Sequence, residues 1–147
     1  MFCEADYLVN YASATGHSPI RWRGDGQLRM SHVSLDGRSF VGVSNTGDGD
    51  VGAATVFRYH EDDGVIWAEY AEGGVRRGYL VGTRDGVGLD FRYVHLDADG
   101  ATASGRCTSR VEVLPDGRMR LDETWSWESR DGSGRSVVEE PVAAPPA

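Results

Sequence analysis

The sequence predicts an all-β domain, an antiparallel up-and-down meander of roughly eight to nine strands that closes into a small barrel. Three observations predict it. β-rich runs alternate with glycine turns from residue 38 to residue 140. No stretch carries the 3.6-residue apolar period of an amphipathic helix. A meander of this size also leaves edges open to aggregation unless its first and last strands meet.

The elements follow in order. RSFVGVSN (38–45) is dense in β-branched and aromatic residues and ends at the glycine-rich GDGDVG. ATVFRYH (54–60) stops at EDDG, VIWAEYA (65–71) at EGG, and VRRGYLVGT (75–83) at RDG. VGLDFRYVHLD (87–97) runs to ADG, and ATASGRCTSRVEVL (101–114) to PDG. RMRLDETWSWES (118–129) and RSVVEE (135–140) flank RDGSG. Asp-Gly recurs at these breaks because hairpin turns need positive φ, which aspartate tolerates and glycine adopts freely. Residues 28–35 are a candidate for one further strand.

With 147 residues the chain holds one core rather than two. Residues 30–140 form the predicted barrel domain. Residues 1–29 lack the alternating pattern and are expected to be an extension, poorly ordered or packed on the barrel, with Met30 as an alternative start. The tail at 141–147, PVAAPPA, cannot donate a regular ladder of hydrogen bonds and is expected to be disordered.

Composition narrows the function. The net charge of −8 argues against a nucleic acid or an anionic membrane as partner, because both need a concentrated positive surface. All 15 basic residues are arginine, which excludes a Schiff-base lysine, a pyridoxal anchor and a P-loop lysine. Cys3 and Cys107 form no C-x-x-C pair, so neither a disulfide framework nor a zinc site is signalled. No cofactor and no metal is expected. The N-terminal segment has no basic start followed by an apolar run, and the protein is expected in the cytoplasm. The expected partner is a small molecule, with room for a homodimer.

Turn chemistry sets the register. Leu114-Pro115-Asp116-Gly117 matches a three-residue loop, a type I turn followed by a left-handed glycine, which pairs Leu114 with Arg118. Val113 then faces Met119, Val111 faces Leu121, Ser109 faces Glu123, Cys107 faces Trp125 and Gly105 faces Trp127. A slip of one residue would scatter these bulky groups over both faces. A similar loop at Ala98-Asp99-Gly100 sets His95 by Ala103, Tyr93 by Gly105, Phe91 by Cys107 and Leu89 by Ser109. This largely apolar face is the predicted interior.

The candidate site lies on that face. Arg76 and Arg77 are adjacent, so simple alternation turns one of them inward near Tyr93 or His95. The functional reading is a pocket walled by Phe91, Tyr93, Cys107, Trp125 and Trp127. In it, Arg76 or Arg77 joins His95 to receive an anionic group, and buried Glu123 has a raised pKa. His95 and Glu123 would be the acid and base if the pocket catalyses, for example as an isomerase or cyclase. The plainer reading lets Glu123 bond Ser109, pairs the arginine with an acid, and uses Ala103, Gly105 and Cys107 to make room for the indoles. A third possibility is a filled barrel whose outer face binds a protein.

Other motifs fail on context. Gly47-Asp48-Gly49-Asp50-Val51-Gly52 reads G-x-G-x-x-G, but a strand follows it and its aspartates repel a pyrophosphate. Arg21-Trp22-Arg23-Gly24-Asp25-Gly26 resembles an acetyl-CoA loop with no helix after it. Leu96-Asp97-Ala98-Asp99-Gly100 hints at a calcium loop without its bidentate glutamate, and His60-Glu61-Asp62-Asp63 reads as a solvated turn.

The segments RSFVGVSNTGDGDV, TVFRYH, VIWAEYAEGG, LDFRYVHLDADG, GRCTSRVEVLPDGRMRL and ETWSWES resemble a family of small bacterial proteins usually labelled N-acetylglutamate synthase. The resemblance spans about residues 31–140 and is most specific at LDFRYVH and the W-x-W strand. It implies a calycin-like β-barrel. Under the label, the inward arginine would hold the glutamate carboxylate and Glu123 or His95 would deprotonate its amine. Binding and catalysis remain two readings of one pocket.

Overall fold

The computed structural model describes residues 33–47 and 49–142. Eight antiparallel strands follow in chain order: β1 (Ser39–Asn45), β2 (Val56–Asp62), β3 (Val65–Glu72), β4 (Val75–Asp85), β5 (Gly88–Asp97), β6 (Thr102–Val113), β7 (Met119–Trp127) and β8 (Ser133–Glu139). Each strand bonds its successor, and β1 pairs with β8 to close the barrel. The strands belong to a compact unit that begins at Leu35. Of the candidate strand at 28–35, the described residues 33–35 carry no strand. Its remainder lies outside the described residues, as do the extension at 1–29, Met30 and residues 143–147. Pro141 and Val142 follow β8 without regular structure.

The turns form for the reasons their residues suggest. Asp63 and Gly64 both have positive φ, 50° and 80°, the signature of a two-residue type I′ hairpin between Asp62 and Val65. At the PDG loop, Gly117 has φ 91°, its N–H donates to the Leu114 carbonyl at 2.9 Å, and the Leu114 N–H donates to the Arg118 carbonyl at 2.7 Å. Every β5–β6 and β6–β7 pairing expected above is observed, from His95 with Ala103 to Gly105 with Trp127. Inward residues alternate with outward ones along β6 and β7.

The end of the barrel where β1 begins is filled. Leu35, Phe40, Tyr59, Ile66, Met119, Leu121 and Val138 are each at most 1% exposed there, so this end is closed by packed, largely apolar side chains. The other end carries the β1–β2, β3–β4, β5–β6 and β7–β8 connections. On the outer wall of β3–β5, Trp67 lies beside Val81 and Tyr79 beside Val94, all exposed.

Two irregularities shift the alternation. The β1–β8 register slips between Gly42 and Ser44, so Val43 bulges outward and Asn45 reaches the interior. The β4–β5 register slips between Val75 and Arg77. That bulge corrects the expected inward arginine: both Arg76 and Arg77 are exposed, and the interior slot opposite His95 is taken by Gly78. Strict alternation would have forced one arginine inside; the extra residue in the strand removes the requirement.

Candidate functional site

The cavity sits at the loop end. Asn45, Phe57, Tyr70, Leu80, Phe91, Tyr93, His95, Cys107, Glu123, Trp125, Trp127 and Ser136 form its wall, and Gly49, Asp50 and Val51 of the β1–β2 loop lie across it. Its volume is about 50 Å³. Seven of the sequence-predicted site residues, Phe91, Tyr93, His95, Cys107, Glu123, Trp125 and Trp127, therefore meet around one space. Arg76 and Arg77 do not join them. Arg77 lines a hollow on the outer wall with Arg58 and Glu69, and its guanidinium donates to the Tyr79 hydroxyl at 3.3 Å.

The floor is polar in an otherwise aromatic pocket. Glu123 is buried, and its Oε1 accepts a hydrogen bond from Ser136 Oγ at 2.8 Å. Ser109, expected as its partner, pairs with it across the strands, yet its hydroxyl has no hydrogen-bond partner, and neither has the buried Tyr59 hydroxyl. Burial pushes the Glu123 carboxyl up to about 7; the Ser136 bond opposes this and neighbouring Asp122 adds to it. Burial, then the Glu123 charge, also drives the Cys107 thiol and the Tyr59 phenol well above their ordinary values. Cys107 is thus a small packed thiol rather than a thiolate nucleophile.

The walls hold the rings in fixed contact. Tyr93 meets Trp127 edge-on at 5.8 Å between centroids, and Trp125 lies 5.5 Å from Trp127. Trp125 Nε1 donates to Asn45 Oδ1 at 3.0 Å. The corresponding Nε1 of Trp127 is buried with no acceptor. Orphaned buried donors are rare in folded proteins.

At the rim His95 is held from both sides. Its Nδ1 lies 2.9 Å from the Tyr70 hydroxyl and its Nε2 2.9 Å from Asp50 Oδ2. The carboxylate places the ring proton on Nε2, so Tyr70 donates to Nδ1. Burial raises the Tyr70 phenol far above its usual range, which keeps that proton on oxygen. Arg130, from the β7–β8 turn, stacks 4.1 Å above the Trp127 ring and reaches the same Asp50 oxygen at 3.6 Å.

The sequence-predicted site does not include Asp50, Asn45, Tyr70 or Arg130. Asp50 lies in a glycine-rich turn, Asn45 needs the Val43 bulge, and Arg130 sits in a loop; only Tyr70, in strict alternation with Ile66 and Ala68 on β3, carried a signal. Among the described residues no group of three or more His, Cys, Asp or Glu is placed to hold a metal ion.

A family model described as Avidin-like protein matches residues 33–141, most of the chain. It supports the calycin-like barrel that the sequence resemblance implied, and nothing supports the acetylglutamate synthase label that came with it. No curated protein and no solved structure matches.

Proposed function

The chain belongs to the avidin-like family of barrels that bind small ligands, and from that premise we propose that its mouth cavity takes a small, partly aromatic molecule with an anionic end. The observation that carries the reading is the Trp127 indole N–H, a buried donor with no acceptor in the wall of an aromatic cavity. A ligand acceptor would satisfy it, while Phe91, Tyr93 and Trp125 stack on an apolar body. The rim, where the His95 Nε2–H donor stands beside the Arg130 cation, supports the anionic end in place of the outward-facing Arg76 and Arg77.

Titration of the protein with biotin and with benzoate, followed by tryptophan fluorescence, tests this. We expect saturable change with at least one probe, and roughly tenfold weaker binding in Trp127→Phe, which keeps an aromatic ring and removes the donor. Absence of saturable change with both probes would sink the reading.

The Glu123 carboxyl, poised near neutrality, favours a second reading in which Glu123 and His95 act as acid and base in the same pocket. Acetyl-CoA and glutamate added to the same series discriminate it: a rise in melting temperature with acetyl-CoA supports acetyl transfer, and no shift at saturating concentration removes it.

We further propose that the chain forms a homodimer through the exposed apolar rows of Trp67, Tyr79, Val81 and Val94, whose exposure supports this reading. Sedimentation should show a dimer that Val81→Lys converts to monomer; a monomeric parent protein, or an unaffected variant, refutes the assignment.

A further inference from the structure

Resting on the binding reading above, we infer that His95 and Arg130 form the anion subsite of the cavity, and that Asp50 is an internal carboxylate which fills it until an anionic ligand displaces it. One oxygen of Asp50 takes both partners, lying 2.9 Å from the His95 Nε2 donor and 3.6 Å from the Arg130 guanidinium. This is the geometry a ligand carboxylate would adopt.

Neither partner depends on Asp50 for its position. His95 is fixed through Nδ1 by Tyr70 and by its place on β5 opposite Gly78 and Ala103. Arg130 is held against the face of Trp127. Removing the aspartate would leave both donors still aimed at the rim.

Asp50 itself rides on a different kind of support. It lies in the β1–β2 loop, between Gly49 and Val51, and that loop is tied down by a few polar contacts. Asn45 Nδ2 donates to the Val51 carbonyl at 3.0 Å, and the Thr55 hydroxyl donates to the Glu72 carbonyl at 2.8 Å. Its backbone crosses Gly74 so closely that a Cβ there would overlap the Asp50 carbonyl. With Asp50 inward the cavity holds about 50 Å³, below the several hundred Å³, roughly, that drug-sized ligands occupy. A ligand must therefore shift this loop to enter.

An anion does so at the least electrostatic cost, because it replaces one carboxylate by another and leaves the buried His95 N–H with an acceptor. A neutral ligand that moved Asp50 could at best offer His95 a carbonyl acceptor and would not replace the negative charge that faces Arg130. The subsite thus selects carboxylates over neutral molecules of the same shape, and Asp50 covers it and competes with them for the same donors.

The test compares benzoate with benzamide, one ring with and without the charge, against the parent protein, Asp50→Ala and the near-isosteric Asp50→Asn. Removing the internal carboxylate should tighten benzoate binding on the order of tenfold and raise the benzoate-to-benzamide preference by a similar factor in both variants. Arg130→Ala should lower that preference. Weaker benzoate binding in both Asp50 variants, or an unchanged preference while either probe binds, overturns the subsite assignment and leaves the binding reading intact. If neither probe binds the parent or any variant, the binding reading falls and the subsite with it.

Discussion

Replacing Glu123 with glutamine is expected to stabilise the protein at pH 8 and to leave it almost unchanged at pH 4. Register forces this carboxyl inside: β7 alternates, and the residue falls between Leu121 and Trp125 on the buried face. There it titrates near 7 rather than at the ordinary 4.5, mainly because burial disfavours its charge. Between those values the folded chain holds a proton that the unfolded chain has released, so stability is full below about 4.5 and is lost as pH rises through 7. A displacement of this size is worth roughly 3 kcal/mol once the group is ionised. Glutamine keeps the shape, accepts the Ser136 hydrogen bond with its carbonyl, and carries no charge to desolvate. Urea denaturation of both proteins at pH 4, 6 and 8 measures the effect, since the difference between the two curves isolates residue 123 from every other titrating group. Parallel pH profiles would show that the buried carboxyl is already solvated in the native state.

Gly78→Ala should be among the most damaging single-methyl additions available. Gly78 pairs with Tyr70 on one side and His95 on the other, and those two rings hydrogen-bond to each other at 2.9 Å. A Cβ at Gly78 would overlap the Tyr70 ring and sit 2.8 Å from His95 Cβ. One ring must move, which breaks a buried hydrogen bond and swings His95 away from Asp50. Overpacking and the stranded donor together should cost roughly 2–5 kcal/mol. Gly52→Ala is the control, because a Cβ there meets nothing within 4 Å, and its melting temperature should stay close to that of the parent. A variant at Gly78 as stable as this control would mean that the rings are loosely packed, and the rim geometry would lose its basis.

How much of this was readable in advance depended on whether a feature is local. The Pro115-Asp116-Gly117 loop sets its own register, because loop length and a left-handed glycine decide which residues pair. From that one turn the period of two carries the pattern along β6 and β7, and a second loop carries it to β5. Glu123, Trp125, Trp127, Cys107, Phe91, Tyr93 and His95 could therefore be placed on one face without a structure. The carboxyl's raised pKa followed from the same placement, since burial disfavours its charge.

Periodicity fails wherever a strand gains a residue. The bulge near Arg76 reverses the phase that two adjacent arginines had set, and the one at Val43 sends Asn45 inward. Neither segment announces the extra residue, because a bulge is decided by how neighbouring strands twist and pair.

The sequence alone determined the strand count within one, the barrel, the three-strand inner face and the residues that meet there, all consequences of alternation and turn chemistry within a few residues. Only the tertiary structure decided what reaches the rim. Asp50 and Arg130 are 80 residues apart in different connections, and His95 belongs to a third element. Loops carry no period to extrapolate, so their side chains come together only once closure of β1 on β8 brings those ends of the chain to one mouth.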